Sequence, residues 1–190
     1  AYPRYNLFLL NGMNRDSMVH ELTHLLLHQS KESPLAILPA WLDEGLAMYF
    51  ENSSGGRDLT LARAARGDRL IPLDAMSAVP GRPMDISTFY AQAQSIVRYL
   101  MNTYGHEKMR YFLSAINEGQ PIYEAMQVVY GFGPAQLDEE WHDEVSSKSR
   151  SLTSQEISSL LIVGSIALVL IILLLKRVAF RRFALNEDME

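Results

Sequence analysis

The chain has 190 residues, of which 48% are hydrophobic, and it carries a formal net charge of −5. This length predicts one domain of about 150 residues with an appendage. The acidic balance, without a basic patch interleaved with aromatic residues, gives no support for nucleic-acid binding. The absence of cysteine excludes disulfides, thiolate metal ligands and a cysteine nucleophile, and it leaves any metal site to histidine and carboxylate ligands.

The N-terminal segment predicts a short strand. The run from Tyr5 to Leu10 is apolar and partly aromatic, and Asn11 and Gly12 end it with a turn. No basic region followed by an apolar stretch precedes this run, so the segment is not a signal peptide. We expect a mature or truncated start.

The next segment carries the pattern H-E-x-x-H. Residues 20–24 read HELTH and lie in an apolar helix predicted to end near Gln29. His20 and His24 are four residues apart, so a helix aims both imidazoles at one point, and Glu21 can reach a water there. Two histidines on zinc with a carboxylate as general base is the chemistry of a metal-dependent peptidase. The alternative is a helix that happens to carry two histidines.

The same helix has an apolar periodicity and two candidate caps. Asn14 or Asp16 is the expected N-cap. A buried stripe beside the histidine face is predicted from four apolar residues at helical spacing: Met18, Leu22, Leu25 and Leu26.

A second apolar helix, predicted from Ala40 to Phe50, offers a third ligand. Its residues 41–47 read WLDEGLA, and Glu44 follows His24 by 20 residues, enough for a loop to bring the two helices together. A carboxylate there completes a His₂Glu zinc site and leaves the fourth position for water. Without HELTH upstream, Glu44 would be interpreted as a solvated helix residue.

Three further polar residues lie near these motifs. Asp43 is a candidate acceptor for a histidine N–H, although an exposed helix residue is the more typical reading. Glu51 is a candidate for closing a pocket around the metal site, although a solvent-exposed residue is again the favoured interpretation. His28 continues the four-residue series, but it points away from a metal shared by His20 and His24, and we expect a polar neighbour.

The remaining domain is predicted to be helical. Residues 52–85 form a long connection with a short helix around Leu59 to Arg66. The helices expected after it are Ile86 to Tyr104, His106 to Asn117, Ile122 to Tyr130, and one opened by Pro134 that runs to about Ser147. The fold class is therefore mainly α, or α+β if the N-terminal strand belongs to a small sheet.

The C-terminal segment predicts a transmembrane helix. Residues 157–175 contain no charge and would cover about 28 Å as a helix, near the hydrocarbon thickness of a bilayer. Lys176, Arg177, Arg181 and Arg182 follow, which places residues 176–190 in the cytoplasm by the positive-inside rule. We expect a single-pass protein of the cell membrane with domain 1–147 outside the cytoplasm, joined to the span by spacer 148–156.

HELTH followed by PAWLDEGLA resembles the gluzincin metallopeptidases, which include the thermolysin and aminopeptidase N families, and most resembles the peptidase MA-like metallohydrolases. The resemblance covers about residues 15–145. It implies a zincin-like catalytic domain in which His20, His24 and Glu44 bind zinc and Glu21 is the general base. The aminopeptidase segment G-x-M-E-N, which binds the substrate's α-amine, has no counterpart here, so aminopeptidase specificity is not implied.

The aminopeptidase-like relatives also carry a tyrosine at the start of a later helix. Tyr90 fits that position, with Ala93 where the relatives have glycine. The resemblance implies that Tyr90 donates a hydrogen bond to the oxyanion. The alternative for Tyr90 is a residue at the edge of the core.

Together these features predict a membrane-anchored zinc peptidase acting on a peptide or protein. The alternative is a non-catalytic metal-binding or sensor module tethered to the membrane. The sequence does not indicate the oligomeric state.

Overall fold

The computed structural model describes residues 14–51, 56–150 and 161–166. The chain divides into two compact units, Ala1–Ser146 and Ser147–Glu190. The described residues contain helices and no strand, which confirms the mainly α prediction for them. The strand predicted for Tyr5 to Leu10 lies outside the described residues.

The larger unit is built from helices. In chain order the elements are α1 (Arg15–Gln29), α2 (Ala40–Glu51), α3 (Arg57–Arg66), a 3₁₀ turn (Leu73–Ser77), α4 (Pro83–Tyr104), α5 (His106–Asn117), α6 (Ile122–Tyr130) and α7, which is helical through residues 134–146. The bounds of α5 and α6 are those predicted from the sequence. Helix α4 begins three residues earlier than predicted, because Pro83 has the fixed φ that suits a first helical turn.

Local chemistry explains where α1 starts and how closely α2 packs on α4. The Asn14 side chain accepts a 3.0 Å hydrogen bond from the Asp16 backbone N–H, so Asn14 is the cap of α1. On α2, Gly45 lies directly against α4: a Cβ there would stand 2.4 Å from the Ala93 carbonyl oxygen and 2.7 Å from Val97 Cγ2. The absence of a side chain at Gly45 therefore allows α2 and α4 to pack closely, and this contact helps to set the position of α2.

Helix α4 is the centre of the core. Its Phe89, Ile96, Val97 and Leu100 are fully buried and pack among α2, α3 and α5. One face of α7 is apolar and buried, since Leu137, Trp141 and Val145 are all buried. The Trp141 indole N–H donates a 3.1 Å hydrogen bond to the hydroxyl of Ser95 on α4.

The connection between α3 and α4 is anchored to the core by one amide side chain. The buried Gln92 accepts a 2.7 Å hydrogen bond from the Ile71 N–H and donates a 2.9 Å hydrogen bond to the Ile71 carbonyl. Both backbone groups of Ile71 are thus satisfied by α4, which holds this segment against the domain.

The apolar stripe predicted for α1 is wrong for three of its four members. Leu25 is 9% exposed, but Met18, Leu22 and Leu26 are 44%, 39% and 56% exposed. The face of α1 that contacts α2 instead carries the histidines. Periodicity identified the helix correctly and its packed face incorrectly, because this helix turns polar donors towards its neighbour.

Among the described residues, no helix has the length and apolar character needed to cross a bilayer. Of the predicted span 157–175, only residues 161–166 are described, and they are helical. The rest of the span, spacer residues 151–156 and the tail 176–190 lie outside the described residues.

Candidate metal centre

The two imidazoles of α1 face one point. The Nε2 atoms of His20 and His24 are 3.2 Å apart, and the rings meet edge to face with their centroids separated by 4.8 Å. This is the arrangement that the four-residue spacing on a helix predicts. Both side chains are partly buried at the junction of α1 and α2.

Glu44 on α2 completes a triangle of donor atoms. Its Oε2 lies 3.7 Å from the Nε2 of His20 and 3.7 Å from the Nε2 of His24. Two ligands bound at about 2.1 Å to a tetrahedral zinc stand roughly 3.4 Å from each other. The three separations of 3.2, 3.7 and 3.7 Å therefore fit one metal ion, and this His-His-Glu group can bind a metal.

Each imidazole contacts a carboxylate through its Nδ1 atom. His24 Nδ1 lies 3.0 Å from Asp43 Oδ1, and His20 Nδ1 lies 3.1 Å from Glu51 Oε2. An ionised carboxylate only accepts hydrogen bonds, so a neutral imidazole that donates its Nδ1–H to it keeps the lone pair on Nε2. The two lone pairs and the Glu44 carboxylate converge on one position, an arrangement that a cation stabilises.

The electrostatics of the group follow from this crowding of acids. Burial lowers the pKa of His24, but the hydrogen bond with Asp43 and the charges of Asp43, Glu44 and Glu21 outweigh it, so this pKa is raised. Burial raises the pKa of Glu44; the charges of His24 and His20 oppose this shift in part. Both side chains therefore hold protons more readily than usual, and protons would compete with a metal bound there.

The two residues with expected catalytic roles lie near the triangle. The charge of Glu21 makes the smallest contribution to the raised pKa values of His24 and Glu44, so its carboxylate lies within electrostatic range of both side chains. The half-buried Tyr90, on α4, has a pKa raised first by burial and then by the charge of Glu44. The structure thus brings Glu21 and Tyr90 to the same region as the three donors.

An open pocket of about 290 Å³ adjoins the donor group. His24, Asp43 and Glu44 form the part of its wall that belongs to the site. The remaining wall combines apolar and basic side chains: Leu27, Leu38, His28 and Lys31. His28 thus lines the pocket and is not part of the three-residue group, in keeping with the polar neighbour expected from the sequence.

Sequence reasoning undervalued Asp43 and Glu51, for which it favoured solvent exposure. A signal for Glu51 was present: it follows Glu44 by seven residues, almost two helical turns, so both carboxylates lie on one face of α2. Asp43 had no such signal, because its contact depends on the depth at which α1 and α2 pack.

Comparison with known families matches residues 10–147 to the Peptidase MA superfamily. No match was found among curated proteins or among solved structures.

Proposed function

Because the chain belongs to the Peptidase MA superfamily and so contains a peptidase-like domain, we propose that it is a zinc-dependent peptidase. The proposed ligands are His20, His24 and Glu44. The observation that carries this proposal is the triangle of donor atoms with sides of 3.2, 3.7 and 3.7 Å. The donor chemistry supports it further, since two imidazoles and a carboxylate, with one position left open, form a typical catalytic zinc set.

In this proposal zinc supplies Lewis acidity, which polarises the scissile carbonyl and lowers the pKa of water. Glu21 accepts a proton from the water while the water oxygen attacks the carbonyl carbon. When the C–N bond breaks, Glu21 returns that proton to the leaving amine. The proton that Glu21 takes from water is the proton that it gives to the amine, so the proposed proton transfers need no other side chain.

Tyr90 is proposed to donate a hydrogen bond to the carbonyl oxygen as negative charge develops there. Its raised pKa, caused by burial and by the charge of Glu44, keeps the proton on the phenol at neutral pH. The pocket beside Glu44 offers a place for one part of a peptide or protein substrate.

The test compares wild-type protein with the Glu21→Gln and Glu44→Gln variants, using metal analysis and cleavage of a broad peptide library with and without chelator. Glu21→Gln should retain one zinc per chain and lose hydrolysis by at least about 10²-fold, the usual contribution of a general base. Glu44→Gln should lose zinc as well. Glu32→Gln is the matched control, because this exposed glutamate lies just beyond α1.

Wild-type cleavage by Glu21→Gln would contradict the mechanism. Zinc at one per chain without cleavage of any peptide would instead favour the non-catalytic metal-binding or sensor module.

We also propose that residues 157–175 tether the domain to the cell membrane, with the domain outside and residues 176–190 in the cytoplasm. The uncharged run and the four cations after it support this proposal. Because the chain contains no cysteine, single cysteines at Ser154 and Asn186 give clean labelling sites. An impermeant maleimide applied to intact cells should label only Ser154→Cys; the opposite pattern would reverse the orientation.

A further inference from the structure

We infer that Arg57 is a positioning residue of the metal centre, which it reaches through Glu51 and His20. The inference rests on the proposed function, because it assumes that His20 is a zinc ligand. It concerns residues outside the HELTH and WLDEGLA motifs, and it links helices α2, α3 and α4 to an imidazole on α1.

Glu51 lies between Arg57 and His20 and uses a different oxygen for each. Its Oε2 is 3.1 Å from His20 Nδ1, and its Oε1 is 3.4 Å from Arg57 Nη2. The Glu51 side chain is only 16% exposed and that of Arg57 only 17% exposed. The carboxylate is therefore largely shielded from water, and the guanidinium balances its charge on the side away from the imidazole.

The other side of the guanidinium is held as well. Arg57 Nε donates a 2.8 Å hydrogen bond to the Oε1 of the buried Gln94 on α4. Gln94 Nε2 in turn donates a 2.9 Å hydrogen bond to the backbone carbonyl of Met48. Met48 and Glu51 belong to the same helix, so the network leaves α2, passes through α4 and α3, and returns to α2.

Backbone geometry places Arg57 where this network needs it. Gly56 caps α3 in the left-handed conformation, with φ 80°, which glycine adopts without steric cost. Arg57 is the first residue of α3, six positions after Glu51, the last residue of α2. The first residue of α3 thus lies beside the last residue of α2.

The support behind the second histidine differs. Asp43, which contacts His24 Nδ1, is 38% exposed, and no arginine or lysine pairs with it within the described residues. Water can replace part of what Asp43 does, whereas water has little access to the Glu51–Arg57 pair. This difference predicts that the metal centre is more sensitive to Arg57 than its distance from the ligands suggests.

The test measures zinc affinity by competition with a chromophoric chelator, using the purified full chain and its Arg57→Ala, Arg57→Lys and Arg63→Ala variants. Arg63 is the matched control, since it lies exposed on the same helix. Loss of a residue that supports a metal ligand typically costs 10- to 100-fold in affinity, so Arg57→Ala should weaken zinc binding about tenfold. Arg57→Lys should be intermediate, because lysine supplies charge without the fork that reaches both Glu51 and Gln94.

Two further measurements separate positioning from a general loss of structure. The absorption spectrum of the cobalt-substituted Arg57→Lys protein should change, because the geometry at His20 changes. In a Glu51→Ala background, adding Arg57→Ala should bring no further loss of zinc affinity. The thermal midpoint of each metal-free variant reports folding independently of the metal.

Equal zinc affinity in wild type and Arg57→Ala would overturn the inference alone, as would a full tenfold loss that persists in the Glu51→Ala background. A wild-type chain that takes up no zinc would overturn the proposed function and this inference with it.

Discussion

Acidic residues surround both histidines, but they act on different ring atoms. Glu44 faces the two Nε2 atoms, whereas Asp43 and Glu51 each contact an Nδ1. A carboxylate at Nδ1 fixes the ring orientation and the tautomer and makes Nε2 a better donor to a metal. At the scale of single residues, the site is therefore defined by these supporting carboxylates as much as by its donor atoms.

Asp43→Asn isolates the charge of one such support. The amide oxygen can still accept from His24 Nδ1–H, but the negative charge is lost. Because Asp43 is among the groups that raise the pKa of His24, this pKa should fall in the variant. NMR titration of metal-free protein measures the shift, and zinc affinity should drop up to about tenfold.

Asp74→Asn is the matched control, since Asp74 is an exposed residue of the 3₁₀ turn. An unchanged His24 titration in Asp43→Asn would contradict the electrostatic role assigned to Asp43.

At the scale of helices, α2 is the element that organises the site, because it carries Asp43, Glu44 and Glu51 together. Its position depends on Gly45, which lies against Ala93 and Val97 of α4. Any displacement of α2 moves Glu44, the proposed metal donor, together with the two carboxylates that contact the histidines.

Gly45→Ala should therefore affect both stability and the site. The added Cβ would meet a backbone carbonyl at 2.4 Å, so α2 or α4 must shift. Overpacking of this kind costs about 1–3 kcal/mol, which denaturant unfolding of metal-free protein measures. Zinc affinity should fall in the same variant.

Gly81→Ala is a suitable control within the same domain, because nothing lies within 4 Å of a Cβ there. A Gly45→Ala protein as stable as wild type would show that the helices tolerate a wider spacing.

The helices and the HELTH spacing were predictable because their signals are local. Pro134, Gly131 and the cap Asn14 mark boundaries within a few residues of where they act, and the four-residue histidine spacing depends only on helix geometry. The contact of Asp43 with His24 and the exposure of Met18 were not predictable. They depend on which faces of α1 and α2 meet, and apolar periodicity misidentified that face for α1.

At the scale of the whole molecule, a hydrogen-bond cluster ties the end of α4 to α7. Glu140 Oε2 accepts from the hydroxyls of Tyr104 at 2.9 Å and Tyr99 at 3.1 Å, and Oε1 accepts from Gln136 at 2.8 Å. The hydrogen bond from Gln136, followed by those from Tyr104 and Tyr99, lowers the pKa of Glu140. Burial, with the hydrogen bond to Glu140, raises the pKa of Tyr104.

These shifts determine how the contribution of the cluster to stability changes at low pH and at high pH. A lowered carboxyl pKa contributes stability above the ordinary value of 4.5, and this contribution is lost as pH falls through the folded-state pKa. A raised tyrosine pKa contributes stability below 10, and this contribution is lost as pH rises through the folded-state pKa. Between these limits the cluster contributes fully.

Glu140→Gln should make the free energy of unfolding less dependent on pH in the acidic range. Unfolding free energies from urea titrations at about pH 5 and pH 3 should fall less in the variant than in wild type, because glutamine has no carboxyl to protonate. Glu139→Gln, an exposed neighbour on α7, should keep the wild-type slope. An unchanged pH dependence in Glu140→Gln would assign the acid sensitivity to other carboxylates.

The division of the donors between α1 and α2 has a thermodynamic consequence. Among the described residues, α1 contributes only Thr23 and Leu25 to the buried set, so little apolar surface holds it in place. An ion bound by His20, His24 and Glu44 would join this lightly held helix to α2, and its binding free energy would enter the local stability of α1. Metal uptake and the docking of α1 are then one coupled equilibrium, in which chelation loosens one helix while the core around α4 stays closed.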